Sequence, residues 1–223
     1  MTQDCLNSPS AANECKVIPK GINIIGADHF GASTTETVPS SQQPWGYLML
    51  QHMMAKKLEE QLKAYNSNPA NTPQPFFIHK SYRYQYKNAD GTGGVKKTYA
   101  VSVSGLVFLQ GTTSQLQTFL SANYPTFHLV NNCATGRPAS IPDTIMQPFM
   151  NTVKERPENI TFLHDKFAQF AKNHVKLRVL TGLFKGCEGY IVRIDRDRQL
   201  VFDFAGRAVA VRGVHKEQFM VVE

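Results

Sequence analysis

A chain of 223 residues with 42% apolar side chains holds enough nonpolar material for one or two ordinary cores. Its net charge of +7 suits a nucleic acid or an acidic protein surface as partner. No apolar run approaches about 18 residues, and no basic stretch followed by an apolar one opens the chain, so neither a membrane span nor a secretory signal is expected and a cytoplasmic location is.

Residues 1–43 are rich in Ser, Thr, Asn, Gly and Pro and carry 2 basic against 4 acidic residues, which predicts a polar extension with only short apolar islands such as Ile22 to Ile25. From Trp45 the texture changes. Trp45 to Leu50 reads as a buried strand, and Met54, Leu58, Leu62 and Tyr65 then recur at helical spacing, predicting an amphipathic helix over His52 to Tyr65. Phe76 to Tyr86 and Lys97 to Val103 read as a hairpin around a loop at Asn88 to Gly94. Leu106 to Leu109 is a continuous apolar run of the kind a central strand needs.

Thr113 to Ala122 predicts a second helix with Leu116, Phe119 and Leu120 inward, Phe127 to Asn131 a short strand, and Ile145, Phe149 and Val153 a third helix. Pro148 is expected to make that helix start near Gln147 or kink, because an internal proline removes a backbone bond and clashes. Residues 157–173 read as a linker, yet Phe162, Phe167 and Phe170 make it more apolar than a free tether requires. In the last fifty residues, alternation through Val175 to Ile191, Tyr190 to Ile194, Leu200 to Phe204 and Ala208 to Val211 predicts about five short strands in a small barrel or rolled sheet. Gly182 and Gly189 are placed at a bend and a turn needing positive φ.

Chemistry is sparsely signalled. Cys5, Cys15, Cys133 and Cys187 form no C-x-x-C pair, which argues against a disulfide framework and a zinc site. The seven histidines are dispersed, and no nucleophile elbow, phosphate loop or H-E-x-x-H is present. We therefore expect a binding protein rather than an enzyme, with no catalytic residue, metal or cofactor. Tyr82, Tyr84 and Tyr86 alternate with Arg83, Gln85 and Lys87, which admits two readings: a platform on which bases stack, or aromatics filling one half-buried face. The second is the more ordinary. Residues 44–156 hold 11 Lys/Arg against 5 Asp/Glu, and Lys80, Arg83, Lys87, Lys96 and Lys97 cluster at the hairpin as candidate phosphate contacts.

Gly182-Leu183-Phe184-Lys185-Gly186-Cys187-Glu188-Gly189 resembles the G-x-F-x-G-x-x-G of the KOW domain in the NusG family of transcription factors. Trp45, Gly105-Leu106-Val107-Phe108 and Gly136-Arg137-Pro138 with Ile141-Pro142-Asp143 are similar to that family's N-terminal domain, in the right order. The resemblance implies an α+β N-terminal domain over 44–156, with an antiparallel sheet flanked by helices, followed by a small all-β KOW barrel over 174–223. It further implies a monomeric, membrane-free elongation and antitermination factor. RNA polymerase would bind Val103 and Leu106, with Phe127 and Leu129 behind, and the hairpin would approach upstream or non-template DNA. The KOW domain would dock ribosomal protein NusE or the termination factor Rho through Phe184 and Arg207. Ser104 and Leu106 depart from the family's Pro and aromatic, and Ala205 from its Phe, which points to a specialised paralogue of the RfaH or UpxY kind. An RNA- or ribosome-binding module without polymerase contact is the alternative.

Overall fold

The computed structural model describes residues 20–25, 43–88, 93–102, 104–132, 135–163 and 167–222. Their fold is mixed α+β. Three antiparallel strands, β2 (Trp45–Met49), β6 (Leu106–Gln110) and β3 (Phe76–Ile78), form a sheet with β6 in the centre. Both faces of this sheet are covered, which explains the unbroken apolar run in β6. Val107 and Leu109 point with Leu48 and Ile78 toward Ala55, Leu58 and Leu62 of α1 (His52–Ser67) and Leu116 and Leu120 of α2 (Thr113–Asn123). Leu106 and Phe108 point with Trp45 and Tyr47 to the other side, against α3 (Asp143–Glu155). Gly105 takes φ +55, and a Cβ there would collide with the Leu50 carbonyl, so the strand can enter the sheet only through glycine.

Helix α3 begins at Asp143, four residues earlier than Gln147, with Pro148 inside it. The proline sacrifices one helical hydrogen bond, and burial of Met146, Phe149, Met150 and Val153 on one face outweighs that loss. Asp143 itself accepts a buried hydrogen bond from Trp45 Nε1 at 2.8 Å, which pins the helix start to β2. Residues 127–131 make no strand. They are tied by Phe127 N–H to the Tyr124 carbonyl, by Val130 N–H to the Tyr47 carbonyl, by Ala139 N–H to the Val130 carbonyl and by a bridge from Asn131 to Pro138.

A second sheet of seven strands runs in the order β1 (Asn23–Ile24), β12 (Gln218–Val221), β8 (Leu177–Val179), β9 (Glu188–Ile194), β10 (Asp197–Phe204), β11 (Arg207–Arg212), β7 (Ile160–Phe162). β8 to β11 lie where the alternation predicts strands and β12 brings the C-terminal strands to five, but among the described residues no pairing joins β7 to β1, so the sheet is open rather than a closed barrel. Its edges come from elsewhere in the chain. Segment 157–173 supplies β7, and β1 comes from within residues 1–43. Gly182 and Gly186 have positive φ (+77 and +87). Gly189 does not; its role is close approach, because a Cβ there would strike the Val201 backbone across the β9–β10 ladder.

The two sheets share one core. Phe204 stacks on Phe149 with ring centroids 4.6 Å apart and meets Phe108 at 5.8 Å and Phe162 at 6.3 Å. On the opposite face of the seven-stranded sheet, Val201, Ala208 and Ala210 are covered by Leu163, Phe167 and Phe170, the last two from the short α4 (Phe167–Phe170). The phenylalanines of the segment between the sheets are thus packing residues.

A candidate nucleic-acid interface

One element stands outside both sheets. At His79 the chain leaves β3, and β4 (Lys80–Tyr86) pairs with β5 (Val95–Val101) as a two-stranded antiparallel ribbon, in register from Lys80↔Val101 to Tyr86↔Val95. Its root is anchored by His79 N–H to the Leu106 carbonyl and Ser102 N–H to the His79 carbonyl, both 3.0 Å. Alternation along a strand sends successive side chains to opposite faces, so Tyr82, Tyr84, Tyr86, Val95, Lys97 and Tyr99 share one face and Arg83, Gln85, Lys96 and Thr98 the other.

Among the described residues no layer covers the tyrosine face. Tyr82, Tyr84, Tyr86 and Tyr99 are 40%, 67%, 67% and 46% exposed, so the half-buried reading of this strand is corrected. The reason is that the ribbon runs past the helices that cover β2, β6 and β3. Tyr82 and Tyr99 lie opposite each other with centroids 5.3 Å apart. Burial, and then proximity to Tyr82, holds the Tyr99 hydroxyl above its usual pKa. Lys97 Nζ lies 3.7 Å from the Tyr82 ring centroid and 5.8 Å from that of Tyr84, a cation–π arrangement. The two strands contain no acidic residue.

The candidate cations divide by environment. Lys80 donates to Glu59 Oε1 at 2.9 Å, which Lys63 also reaches at 2.7 Å. Burial pushes the Glu59 carboxyl up, but the hydrogen bonds from Lys63 and Lys80 outweigh it and hold it below its ordinary pKa. Arg83 donates to the Val101 carbonyl at 2.7 Å and is half-buried. These two brace the root. Lys87, Lys96 and Lys97 are exposed toward the tip and are the ones available to phosphate.

The other predicted positions lie apart from the ribbon. Val103 falls outside the described residues. Leu106 is 1% exposed, inside the shared core. Phe127 and Leu129 are half-buried and line a groove beside α2 with Gln117, Ser121 and His128. Phe184 is not an exposed anchor: it is 4% exposed and packs on Phe202 at 5.9 Å. Arg207 is half-buried and donates from Nη2 to Met49 Sδ at 2.8 Å, across the junction of the two sheets. Burial pushes the Cys187 thiol up to about 11, which keeps it protonated and unreactive. Among the described residues no group of His, Cys, Asp and Glu is placed to hold a metal ion, and no helix is long and apolar enough to cross a membrane.

No protein-family model matches the chain, and no curated protein matches it. Among solved structures, that of NusG from Thermotoga maritima, determined for its domain interaction, is similar at 15% identity. It covers 82% of this chain and 98% of its own, with a TM-score of 0.42, a likeness too distant to assign function.

Proposed function

We propose that this protein is a transcription elongation and antitermination factor of the NusG kind, a specialised paralogue that binds RNA polymerase and adjacent nucleic acid and performs no chemistry itself. The observation that carries the reading is the ribbon. It is exposed, its two strands carry no acidic residue and are rich in tyrosine and lysine, and it follows directly on β3 of the sheet that bears Trp45 and the Gly105-Leu106-Val107-Phe108 strand. In this reading Leu106, being internal, supports the sheet. Phe127 and Leu129 beside α2 make the polymerase contact, and Lys87, Lys96 and Lys97 meet upstream or non-template DNA. Arg207 serves a second partner, NusE or Rho, with Phe184 holding its turn from inside.

The test is retention of the full chain by core RNA polymerase. Saturable binding, weakened about tenfold when Phe127→Ser and Leu129→Ser are combined, is expected for a small hydrophobic contact. Absence of binding by the unaltered chain would refute the polymerase assignment. It would leave the RNA- or ribosome-binding alternative, which the exposed tyrosines favour.

A further inference from the structure

We propose that the uncharged outer side of α2, with the groove beside it, is a contact surface for a second copy of this chain. The inference goes beyond polymerase contact and needs none of it: retention by polymerase decides that reading, and association of the free protein decides this one.

Residues 98–136 contain no Asp, Glu, Lys or Arg, the longest such run in a chain of which 18% is charged. Part of the run is interior, since β6 lies at the centre of the first sheet and Leu116 and Leu120 are in its core. The rest is surface. Ser114, Gln117, Thr118 and Ser121 fall at i, i+3, i+4 and i+7, so they share one side of α2, and all four are exposed. One flank of the helix is closed where Phe119 meets Tyr65 of α1 edge-on, with ring centroids 5.3 Å apart. Along another runs the groove, about 340 Å³ in volume, with Leu120, Phe127 and Leu129 as its apolar lining and Gln117 and Ser121 on the helix side. His128 is the one titratable side chain that lines it.

The outer side of a solvated helix ordinarily carries charge. Carboxamides and hydroxyls around an apolar groove have instead the make-up of an interface core, from which charge is depleted. Net charge selects the occupant. Two copies carrying +7 each repel wherever their basic surfaces meet, and this face brings no fixed charge to the encounter. A two-fold contact sets a patch against its own image, which demands self-complementarity. Like charges fail that demand, whereas a carboxamide or a hydroxyl both donates and accepts, so Gln117 and Ser121 can pair with the same residues of the other copy. A nucleic acid or an acidic protein would find no counter-charge here. The proposal departs from the monomer that the family resemblance implies. Because Phe127 and Leu129 line the same groove, self-association and the polymerase contact proposed above exclude each other.

The test is sedimentation velocity of the full chain over a range of concentrations. The mass is expected to rise from 25.0 kDa toward twice that value as concentration increases. Added salt should leave the association unchanged or tighten it, because salt screens the repulsion between copies and finds no ion pair to weaken. Gln117→Lys with Ser121→Lys sets like charges against each other across the contact and should weaken association by about tenfold or more. Gln85→Lys with Gln169→Lys, two exposed positions outside the groove, raises the net charge equally and should leave association as it is. All four side chains are exposed, and far-ultraviolet circular dichroism checks that the variants keep the fold. A single species of 25.0 kDa up to millimolar concentration would overturn the proposal. Equal weakening by the second pair would trace the effect to net charge, and dissociation by salt would place the contact at ion pairs elsewhere; either result also overturns it.

Discussion

Ala205 takes φ +54 in the two-residue turn between β10 and β11, followed by Gly206 at φ +91. A left-handed alanine costs roughly 1–2 kcal/mol, and tight hairpins of this hand favour Asn-Gly. Ala205→Asn is expected to raise unfolding free energy by about 1 kcal/mol, measured by urea titration. His79 is a second residue in an unfavourable setting. It is 4% exposed, its Nδ1 lies 3.3 Å from Ser104 Oγ, its Nε2 has no partner, and it packs on Phe149 and Phe162. Burial pushes its pKa down from 6.5 to about 4. The unfolded chain thus takes up this proton first as pH falls, and stability is lost from about pH 6.5 downward through about pH 4. Between about pH 7 and pH 5 the loss comes to about 2 kcal/mol. His79→Leu should remove it, which parallel denaturant titrations of the two proteins would reveal as a flatter pH profile.

At the scale of elements, the ribbon shows both what a sequence discloses and what it withholds. Alternation of Tyr82, Tyr84 and Tyr86 with charged residues fixes the faces from sequence alone, but not whether another layer lies over one of them. Coverage depends on where α1 and α2 end in space, which no local pattern encodes. The break at His79, dividing one predicted strand into β3 and β4, was equally hidden, because Ile78, His79 and Lys80 are all compatible with continuous extended chain. The basic cluster was legible as composition. Its division into root braces and free cations was not, since Glu59 and the Val101 carbonyl are brought to Lys80 and Arg83 only by folding. The division makes a prediction. Lys87→Gln and Lys96→Gln should each lower the slope of log affinity for single-stranded DNA against log salt by about 0.7, whereas Arg83→Gln should chiefly lower stability. Binding measured at several salt concentrations, beside a melting curve, separates the two.

At the scale of the molecule, the strands of the first sheet and β8 to β11 of the second were legible because apolar alternation and glycine-marked turns are local signals, whereas β1 and β7, two to three residues long in stretches that read as extension and linker, were not. The union of the sheets was not, because Phe108, Phe149, Phe162 and Phe204 are far apart in the chain and converge only in the folded state. Phe204→Ala should cost about 3–5 kcal/mol and, by loosening the tie between β10 and α3, split a single unfolding transition into two under calorimetry. The start of α3 at Asp143 belongs to the same class of hidden fact. Local propensity argued against residues before Pro148, and the bond to Trp45 together with burial of Met146 decided otherwise.

The parallel pairing of Asn23 and Ile24 with Gln218 and Phe219 sets an order in time. During synthesis β1 has no template until β12 leaves the ribosome, a wait on the order of 10–40 s at about 5–20 residues per second. The first sheet, whose strands all lie between Trp45 and Gln110, can form meanwhile. Closing so long a loop comes last, and Asn23 and Ile24 stay unpaired until Gln218 and Phe219 are available.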